Sequence, residues 1–574
     1  MDEPKLEWIV TLYNKEDLED FYNDMETPGG NLYIPDRAVE VSKRRTISRN
    51  THYMLTPSEA KLVEADDRVW AVEPEGIVEL KPNYKISSGQ FGKKSTGDVD
   101  DINWGILRHT LEDNLSNWGN NGTQEYTRDV TITASGKNVD VVIFDGHIDP
   151  SHPEFAVNSD GTGGTRVQQY NWFQNDIGSG TGTYTYTPYV DNTYADNNGN
   201  GIPDRTDDNN HGAHVAGTVA GNTMGWARDA NIYNISVYST NQNFGTNGLS
   251  SSTYWDYVRA WHNNKPINSA TGRRNPTITN HSYGSSVTIG PLTSGSYTYA
   301  KAQKMTYRGV ELDKGAGNTI TTAEYQARGV YTNDDTPTVP YYSTGRFADI
   351  QDAIDDGIIV VCAAGNDSTK ITNSSDQDYN NVIKWPYDFF GFNYELDVYY
   401  NRGTGSAAGK AEVIVVGAQS YDSNEDKAYF SNTGSQVDVY AAGQGINSAL
   451  NTGAYSGGSV TDSRNSSYDL TKYQGTSMAS PQVCGILALL AESWPNMTQS
   501  EAQEWIINNA ASGKMADTAA DDPMDRNSLQ GGPNKLVRWI NQRPESDMTF
   551  PQRNFKPRPT SGQTYPRPKI RRRG

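Results

Sequence analysis

Three short segments of the chain carry residue types that together could perform nucleophilic catalysis. Asp145 ends the apolar run VVIFD, His211 opens HGAHVAGTVAG, and Ser477 lies within GTSMASP. A serine hydroxyl is a weak nucleophile until a base removes its proton, and a histidine titrates near neutral pH and can be that base. An aspartate can fix the histidine tautomer and stabilise the imidazolium. The three residue types therefore indicate acyl transfer through a covalent serine intermediate.

An alternation of apolar strands and helices must position these residues, because they lie far apart in the chain. The predicted strands are 139–144, 230–238, 276–282, 358–364 and 412–418. The predicted helices are 211–221, 252–263, 346–356, 477–493 and 498–510. Such a pattern predicts an α/β fold with a mostly parallel sheet covered on both faces. Sites in these sheets lie at the carboxyl ends of strands and at helix N-termini, which is where the three residues stand.

The three segments resemble the signature blocks of the subtilases, the subtilisin-like serine proteases. Those blocks read D-[ST]-G-[IV], H-G-T-H-V-A-G and G-T-S-M-A-x-P. The third is intact here, the second departs at Ala213, and the first departs at Gly146 and His147. The chain order Asp, His, Ser is also that of subtilisin. No G-x-S-x-G occurs, so the nucleophile elbow of the α/β-hydrolases is absent.

The resemblance implies further site residues and a fold. The segment VVCAAGND resembles the family's oxyanion segment and assigns that role to Asn366, together with the backbone N–H of Ser477. Two segments resemble the walls of the primary specificity pocket, formed by Ser282, Tyr283 and Gly284 on one side and Ala363, Ala364 and Gly365 on the other. These walls contain no carboxylate, so a large apolar or aromatic substrate side chain is expected. The implied fold is the three-layer subtilisin-like α/β fold, preceded by a small α+β propeptide domain.

Other residues near these segments have alternative interpretations. His214 is a rival base on the same predicted helix, and His147 stands where the family has a glycine. A structural or specificity role is preferred for His147. Cys362 and Cys484 are the only two cysteines, and both sit in apolar runs. They are interpreted as buried small hydrophobes rather than as a disulfide or reactive thiols.

Four regions follow from composition and from the resemblance. Residues 1–78 resemble the family's inhibitor and chaperone propeptide, with a capping box predicted at Thr56 and Glu59. Residues 79–102 are a polar linker that would contain the maturation cleavage. Residues 103–545 form the catalytic domain, with long polar surface insertions. Residues 546–574 form a basic, Pro-rich tail, expected to be disordered, either as a solvated terminus or as a docking segment.

Composition excludes several classes of protein. The net charge of −20 argues against a nucleic-acid partner. Two cysteines exclude a disulfide scaffold, and no apolar run is long enough for a transmembrane helix. The start MDEPKLEWIV lacks the features of a secretory signal, which favours an intracellular or particle-associated location over secretion.

A metal site is predicted in DNNGNGIPDRTD. Oxygen ligands at Asp196, Asn198, Asn200 and Asp207 have a spacing like that of a calcium-binding loop. The alternative is a solvated polar loop. No cofactor is expected for catalysis itself, so any calcium would be structural.

The function that these observations favour is a self-processing serine endopeptidase acting on protein or peptide substrates, with its own propeptide as an intramolecular inhibitor. Two alternatives remain open. One is a peptide ligase or cyclase on the same fold, in which an amine intercepts the acyl-enzyme. The other is a structural protein that has kept the fold and lost turnover.

Overall fold

A computed structural model describes most of the chain. The described residues are 5–33, 40–45, 48–74, 85–86, 103–110, 132–168, 170, 172, 210–237, 253–294, 297–342, 344–389, 392–403, 412–421, 425–451, 459–517 and 525–540. The predicted calcium loop at 196–207 and the tail at 546–574 lie outside them, as does most of the predicted linker.

The N-terminal unit is a four-stranded antiparallel sheet with two helices. Its elements are β1 (Leu6–Leu12), α1 (Leu18–Glu26), β2 (Glu40–Arg44), β3 (Asn50–Leu55), α2 (Pro57–Glu64) and β4 (Val69–Pro74). The strand order is β2-β3-β1-β4. Val10, Phe21 and Tyr53 belong to a hydrophobic cluster confined to this unit. The capping box that the sequence predicts at the start of α2 is present.

The remaining elements follow in chain order. From 85 to 281 they are β5 (Lys85–Ile86), α3 (Trp104–Thr110), β6 (Asp140–Asp145), α4 (His211–Ala220), β7 (Asn231–Ser236), α5 (Thr253–Asn264) and β8 (Thr277–His281). From 286 to 399 they are β9 (Ser286–Thr288), β10 (Leu292–Ser294), β11 (Tyr297–Tyr299), β12 (Lys304–Tyr307), β13 (Val310–Asp313), α6 (Thr322–Gln326), β14 (Thr338–Pro340), α7 (Thr344–Asp355), β15 (Ile359–Ala363), β16 (Val382–Phe389) and β17 (Phe392–Tyr399). From 414 they are β18 (Ile414–Gln419), β19 (Val439–Ala442), β20 (Ile446–Ala449), β21 (Val460–Thr461), β22 (Asp469–Gln474), α8 (Thr476–Ser493), α9 (Gln499–Asn509), β23 (Ala511–Ser512) and β24 (Lys535–Leu536).

The central sheet has the strand order β23-β24-β19-β18-β15-β8-β6-β7. Its pairs are parallel except for β23 with β24. Successive side chains of β6 enter two different hydrophobic clusters: Val141 and Ile143 one, Val142 and Phe144 the other. Because neighbouring side chains of a strand point to opposite faces, both faces of the sheet are covered. The predicted three-layer α/β fold is therefore confirmed, with each predicted strand and helix found within two residues of its expected ends.

The predicted surface insertions around 285–345 and 367–410 contain a second folded unit. Strands β10-β11-β16-β12-β13 form one sheet, and β17 pairs with β16. Met305, Tyr325, Ile383 and Trp385 lie in a separate buried cluster beneath it. These segments are thus more than surface loops, although their strands show no continuous apolar run.

The N-terminal unit docks against α5 and α7 through buried charges. Arg45 is fully buried and pairs with Asp256 at 2.7 Å and with Asp349 at 3.1 Å. Ser48 donates to Asp349 at 2.7 Å, and the Asn50 amide also donates to it. Within the predicted linker, strand β5 pairs antiparallel with the end of β22.

No helix in the described ranges combines the length and the apolar character needed to cross a bilayer.

Candidate active site

Asp145 and His211 meet at the carboxyl edge of the central sheet. Asp145 is the last residue of β6, and His211 is the first residue of α4. The His211 Nδ1 atom lies 2.6 Å from Asp145 Oδ1, and both side chains are fully buried. The same carboxylate oxygen accepts the Gly146 N–H at 2.7 Å. This pairing places the proton on Nδ1, which leaves Nε2 as the proton-accepting nitrogen of a neutral ring.

The residue before α4, Asn210, has a left-handed backbone conformation. Asn210 has φ of 62°, a conformation that asparagine tolerates better than most residues. Its side-chain Oδ1 accepts the Asn451 N–H at 3.0 Å. The Asn451 amide in turn donates to the His147 carbonyl at 2.8 Å. The segments on both sides of the Asp145–His211 pair are therefore tied to one another, and His147 takes part through its backbone.

Ser477 is the second residue of α8, and a proline one turn later shapes its surroundings. Pro481 has no N–H, so it cannot donate to the Ser477 carbonyl as a helical residue at this position would. The Ser282 hydroxyl donates to that carbonyl instead, at 2.8 Å. The Ser477 hydroxyl donates back to the Ser282 carbonyl at 2.9 Å. These reciprocal bonds hold the start of α8 against the segment that follows β8.

Asn366 follows β15 and is oriented by the residue before the serine. Its Oδ1 accepts both the Thr476 N–H at 2.8 Å and the Thr476 hydroxyl at 2.9 Å. Because the oxygen faces Thr476, the amide N–H₂ group points the other way. The Thr476 hydroxyl oxygen also accepts the Gly365 N–H at 3.1 Å. The side chains of Asn366 and Thr476 thus join β15 to the start of α8.

A pocket beside Ser477 joins most of the predicted binding residues. Its lining residues are Ser282, Tyr283, Gly284, Ser285, Ser286, Ala363, Gly365, Asn366, Asp367, Thr476 and Ser477. Ala364 is not among them, because its side chain packs in the hydrophobic cluster on one face of the sheet. The Tyr283 ring is also buried, with its hydroxyl 3.1 Å from that of Tyr254. Tyr283 therefore borders the pocket while its ring packs in the core.

Asp367 is a pocket residue that the sequence analysis did not identify. The walls assigned from the sequence carry no carboxylate, whereas the structure adds this one to the lining. Burial raises the pKa of Asp367 to about 6, although a hydrogen bond from Asn432 opposes the shift. The signal was present in the sequence, since Asp367 directly follows Asn366. An acid at that position changes charge over the mildly acidic range.

His214 lies in an environment different from that of His211. Its Nε2 is 2.9 Å from the Ile446 carbonyl and 3.1 Å from the Thr471 carbonyl. Burial lowers the pKa of His214 to about 3. A neutral ring that donates to backbone carbonyls positions strands β20 and β22.

Cys362 and Cys484 are both buried free thiols.

No group of three or more His, Cys, Asp or Glu side chains in the described segments is arranged to hold a metal ion. Glu154 is a buried carboxylate of the kind that can bind a cation, and its partners here include an arginine and backbone N–H groups. It accepts the N–H groups of Thr223 and Met224 and forms an ion pair with Arg464. A guanidinium therefore provides the positive charge at this carboxylate.

Residues 136–537 match the model of the subtilase family. Alkaline serine exoprotease A of Vibrio alginolyticus is 23% identical over 464 residues, which cover 81% of this chain and 55% of that protein. Subtilisin-like protease 3 of Arthroderma benhamiae is 27% identical over 408 residues, covering 70% of this chain and 65% of the relative. The chain thus spans less than two thirds of the length of either relative.

Among solved structures, fervidolysin from Fervidobacterium pennivorans, a keratinolytic enzyme related to subtilisin, aligns with a TM-score of 0.48 and 18% identity. The alignment covers 93% of this chain and 60% of that one.

Proposed function

The chain belongs to the subtilase family, and on that premise we propose that it is a serine endopeptidase that hydrolyses peptide bonds through an acyl-enzyme. Ser477 is the nucleophile, His211 the general base and Asp145 the residue that orients the imidazole. The observation that carries the proposal is the buried 2.6 Å contact between His211 Nδ1 and Asp145 Oδ1. That contact prepares the opposite nitrogen of the ring to accept a proton.

The first step requires the Ser477 hydroxyl to change its hydrogen-bond partner. It donates to the Ser282 carbonyl here, and rotation about its Cα–Cβ bond would redirect it toward His211. The imidazole then takes the hydroxyl proton while the oxygen attacks the substrate carbonyl. The imidazole later returns the proton to the leaving amine. A water molecule, deprotonated by the same imidazole, then attacks the acyl-enzyme and releases the acid product.

Asn366 and the Ser477 N–H are proposed to hold the oxyanion of the tetrahedral intermediate. Support comes from the two bonds that fix the Asn366 oxygen on Thr476, since they leave the amide donors directed away from it. Loss of one such donor costs on the order of 10²–10³ in kcat, a magnitude established for a subtilisin.

The pocket beside Ser477 is proposed to receive the substrate side chain that precedes the scissile bond. Gly284, Ala363 and Gly365 add little or no side chain to its lining, and we expect the pocket to accept a large apolar or aromatic group. Asp367 adds an ionisable group to the lining, so the preference for that group should depend on pH.

The experiment that tests the proposal is labelling with a fluorophosphonate that carries a fluorophore. Wild-type protein should be labelled at Ser477, and Ser477→Ala and His211→Ala should not be. Mature wild-type protein, freed of the N-terminal unit, that folds but takes no label would overturn the proposal and leave the structural alternative, a fold without turnover. Product analysis with a peptide substrate and an added amine separates hydrolysis from ligation, the other alternative.

The N-terminal unit is proposed to act as a propeptide that inhibits the catalytic domain until it is cut away. Its separate hydrophobic cluster and its docking on α5 and α7 support this role. Cleavage within 79–102 should shorten wild-type protein, while Ser477→Ala should stay at full length in intact mass spectrometry. Identical trimming of both in a protease-free preparation would exclude self-processing.

A structural calcium ion at Asp196, Asn198, Asn200 and Asp207 stays a prediction, because these residues lie outside the described part of the chain. Calcium at about 100 times Kd would stabilise the native state by about 2.7 kcal/mol. Melting curves in excess calcium and in chelator measure this, and Asp196→Asn with Asp207→Asn should abolish the difference. Identical curves for wild-type protein would favour a solvated loop.

A further inference from the structure

Asn432 lies in a segment that runs along the loop bearing Asn366. In the chain it lies between β18 and β19, and its side chain is fully buried. Its backbone N–H donates to the Gly365 carbonyl at 2.9 Å. On either side of it, the Ser368 N–H donates to the Phe430 carbonyl at 3.0 Å and the Ile371 N–H donates to the Thr433 carbonyl at 2.7 Å. The two segments are therefore joined backbone to backbone over several residues.

The Asn432 carboxamide adds four hydrogen bonds to this contact. Its Nδ2 group donates to the Ala364 carbonyl at 2.9 Å and to the Asp367 carboxylate at 3.2 Å. Its Oδ1 accepts the Asp367 N–H at 3.0 Å and the Thr369 N–H at 2.9 Å. A carboxamide has two N–H donors and two acceptor lone pairs, so its full capacity is used.

The bonds of Asn432 fall on both sides of Asn366. Its side chain bonds to Ala364 before it and to Asp367 and Thr369 after it, and its backbone N–H bonds to Gly365. Thr476 holds only the oxygen of the Asn366 side chain. The direction of the Cα–Cβ bond of Asn366 depends on its backbone, and Asn432 fixes the backbone around it. Asn432 also holds the carboxylate that lines the pocket.

We propose that Asn432 is a positioning residue, which aims Asn366 at the oxyanion by clamping the backbone on both sides of it. This inference rests on the proposed function. A catalytic group displaced by about 1 Å can cost on the order of 10²-fold in rate, so a loosened clamp should lower kcat even when the protein stays folded.

Aspartate is the sharpest substitution because it keeps the shape and removes both donors. In Asn432→Asp the new carboxylate would face the Ala364 carbonyl and the Asp367 carboxylate, and both contacts become repulsive. We expect kcat for a peptide ester to fall about 10- to 100-fold with KM changed by less than about threefold. A matched control is Asn222→Asp. Asn222 is also buried and also donates through Nδ2 to backbone carbonyls, here those of Pro153 and Ala156, and it does not line the pocket.

A second variant covers the case in which Asn432→Asp does not fold. Asn432→Asp combined with Asp367→Asn exchanges the amide and the carboxylate between the two positions, so one donor–acceptor pair is restored. The double variant should fold and recover part of the lost kcat. If Asn432→Asp folds, a folded double variant whose kcat is no higher than that of Asn432→Asp would overturn the proposal. If Asn432→Asp does not fold, the double variant is compared with Asp367→Asn instead, and a kcat at most twofold lower than that of Asp367→Asn would overturn the proposal.

A double-mutant cycle shows whether the effect passes through Asn366. In an Asn366→Ala background, Asn432→Asp should cost less than about threefold in kcat, because the group it positions is gone. Equal losses in both backgrounds would overturn the proposal, as would an Asn432→Asp enzyme with wild-type kcat. Fluorophosphonate labelling of the wild-type protein keeps the two proposals apart. If mature wild-type protein is labelled and only the cycle fails, the proposed function stands; if it is not labelled, both fall.

Discussion

At the scale of single residues, environment rather than type distinguishes the two histidines of α4. His211 faces a carboxylate, which stabilises a protonated ring during proton transfer. His214 faces two backbone carbonyls and stacks on Tyr473 with ring centroids 4.5 Å apart. Sequence alone left His214 as a rival base because both residues lie in one short motif. In the structure that ring is held by two backbone carbonyls, and burial keeps it neutral.

This difference predicts separate outcomes for the two positions. His211→Ala should lose on the order of 10⁶ in kcat. His214→Gln should keep kcat within about tenfold, since a glutamine amide can donate to the same carbonyls and the ring takes no part in the proposed proton transfer. The pKa of His214 is about 3, so its proton is gone well below neutral pH. The acid limb of the rate profile should therefore stay in place in His214→Gln, and a displaced limb would contradict the assignment of the base.

Asp367 predicts a pH-dependent substrate preference. Its pKa is raised to about 6, so the carboxyl is neutral below that pH and charged above it. The ratio of kcat/KM for a lysine substrate over a phenylalanine substrate should rise between pH 5 and pH 7.5. Both substrates depend on the same catalytic base, so the ratio cancels its titration. In Asp367→Asn the ratio should be flat, and a wild-type ratio that does not change with pH would mean that Asp367 does not reach the bound side chain.

At the scale of elements, the central sheet could be predicted because its strands are buried on both faces. The segments 139–144, 358–364 and 412–418 are mostly apolar, and each is a strand of the sheet. The residues proposed for catalysis, Asp145, His211 and Ser477, followed from motifs at the ends of such strands and at helix starts.

The sheet formed by β10, β11, β16, β12 and β13 could not be predicted, because β16 pairs with strands distant in the chain and its segments read as polar. Strand β16 pairs with β11 and β12, which lie far back in the chain. Tyr297, Tyr299 and Tyr387 supply its packing, and their hydroxyls make the segments read as polar loops. Asn432 was missed for a related reason, since its role depends on the contact of two loops distant in sequence.

Helices α4 and α8 must approach closely for His211 and Ser477 to act together, and Gly485 allows this. A Cβ atom there would lie 2.7 Å from the Trp226 Cβ and 2.9 Å from the Val219 carbonyl oxygen. In an exposed helix, replacing glycine by alanine would stabilise by about 1 kcal/mol. Here Gly485→Ala should destabilise by about 1–3 kcal/mol through overpacking and should lower kcat. Thermal melting and kinetics measure both effects, with Ser493→Ala near the exposed end of the same helix as the control.

At the scale of the whole molecule, the interface of the N-terminal unit combines a guanidinium with two carboxylates away from solvent. Burial raises the pKa of Asp349 above its ordinary value even with Arg45 nearby. A buried charge of this kind stabilises only while its partner is present, because the surrounding protein cannot replace the lost hydration. Arg45 should therefore control whether the N-terminal unit stays docked.

Arg45→Met tests this control in a Ser477→Ala background, where self-processing cannot remove the unit. The variant leaves Asp256 and Asp349 buried without their shared cation, at a cost of about 3–5 kcal/mol. Amide hydrogen exchange should show that protection of β3 and α7 falls by about two to four orders of magnitude. Arg44→Met is the matched control, because Arg44 pairs with Glu26 inside the N-terminal unit and lies over the Tyr22 ring. Equal loss of α7 protection in both variants would mean that general destabilisation of the unit, rather than the buried ion pairs, governs docking.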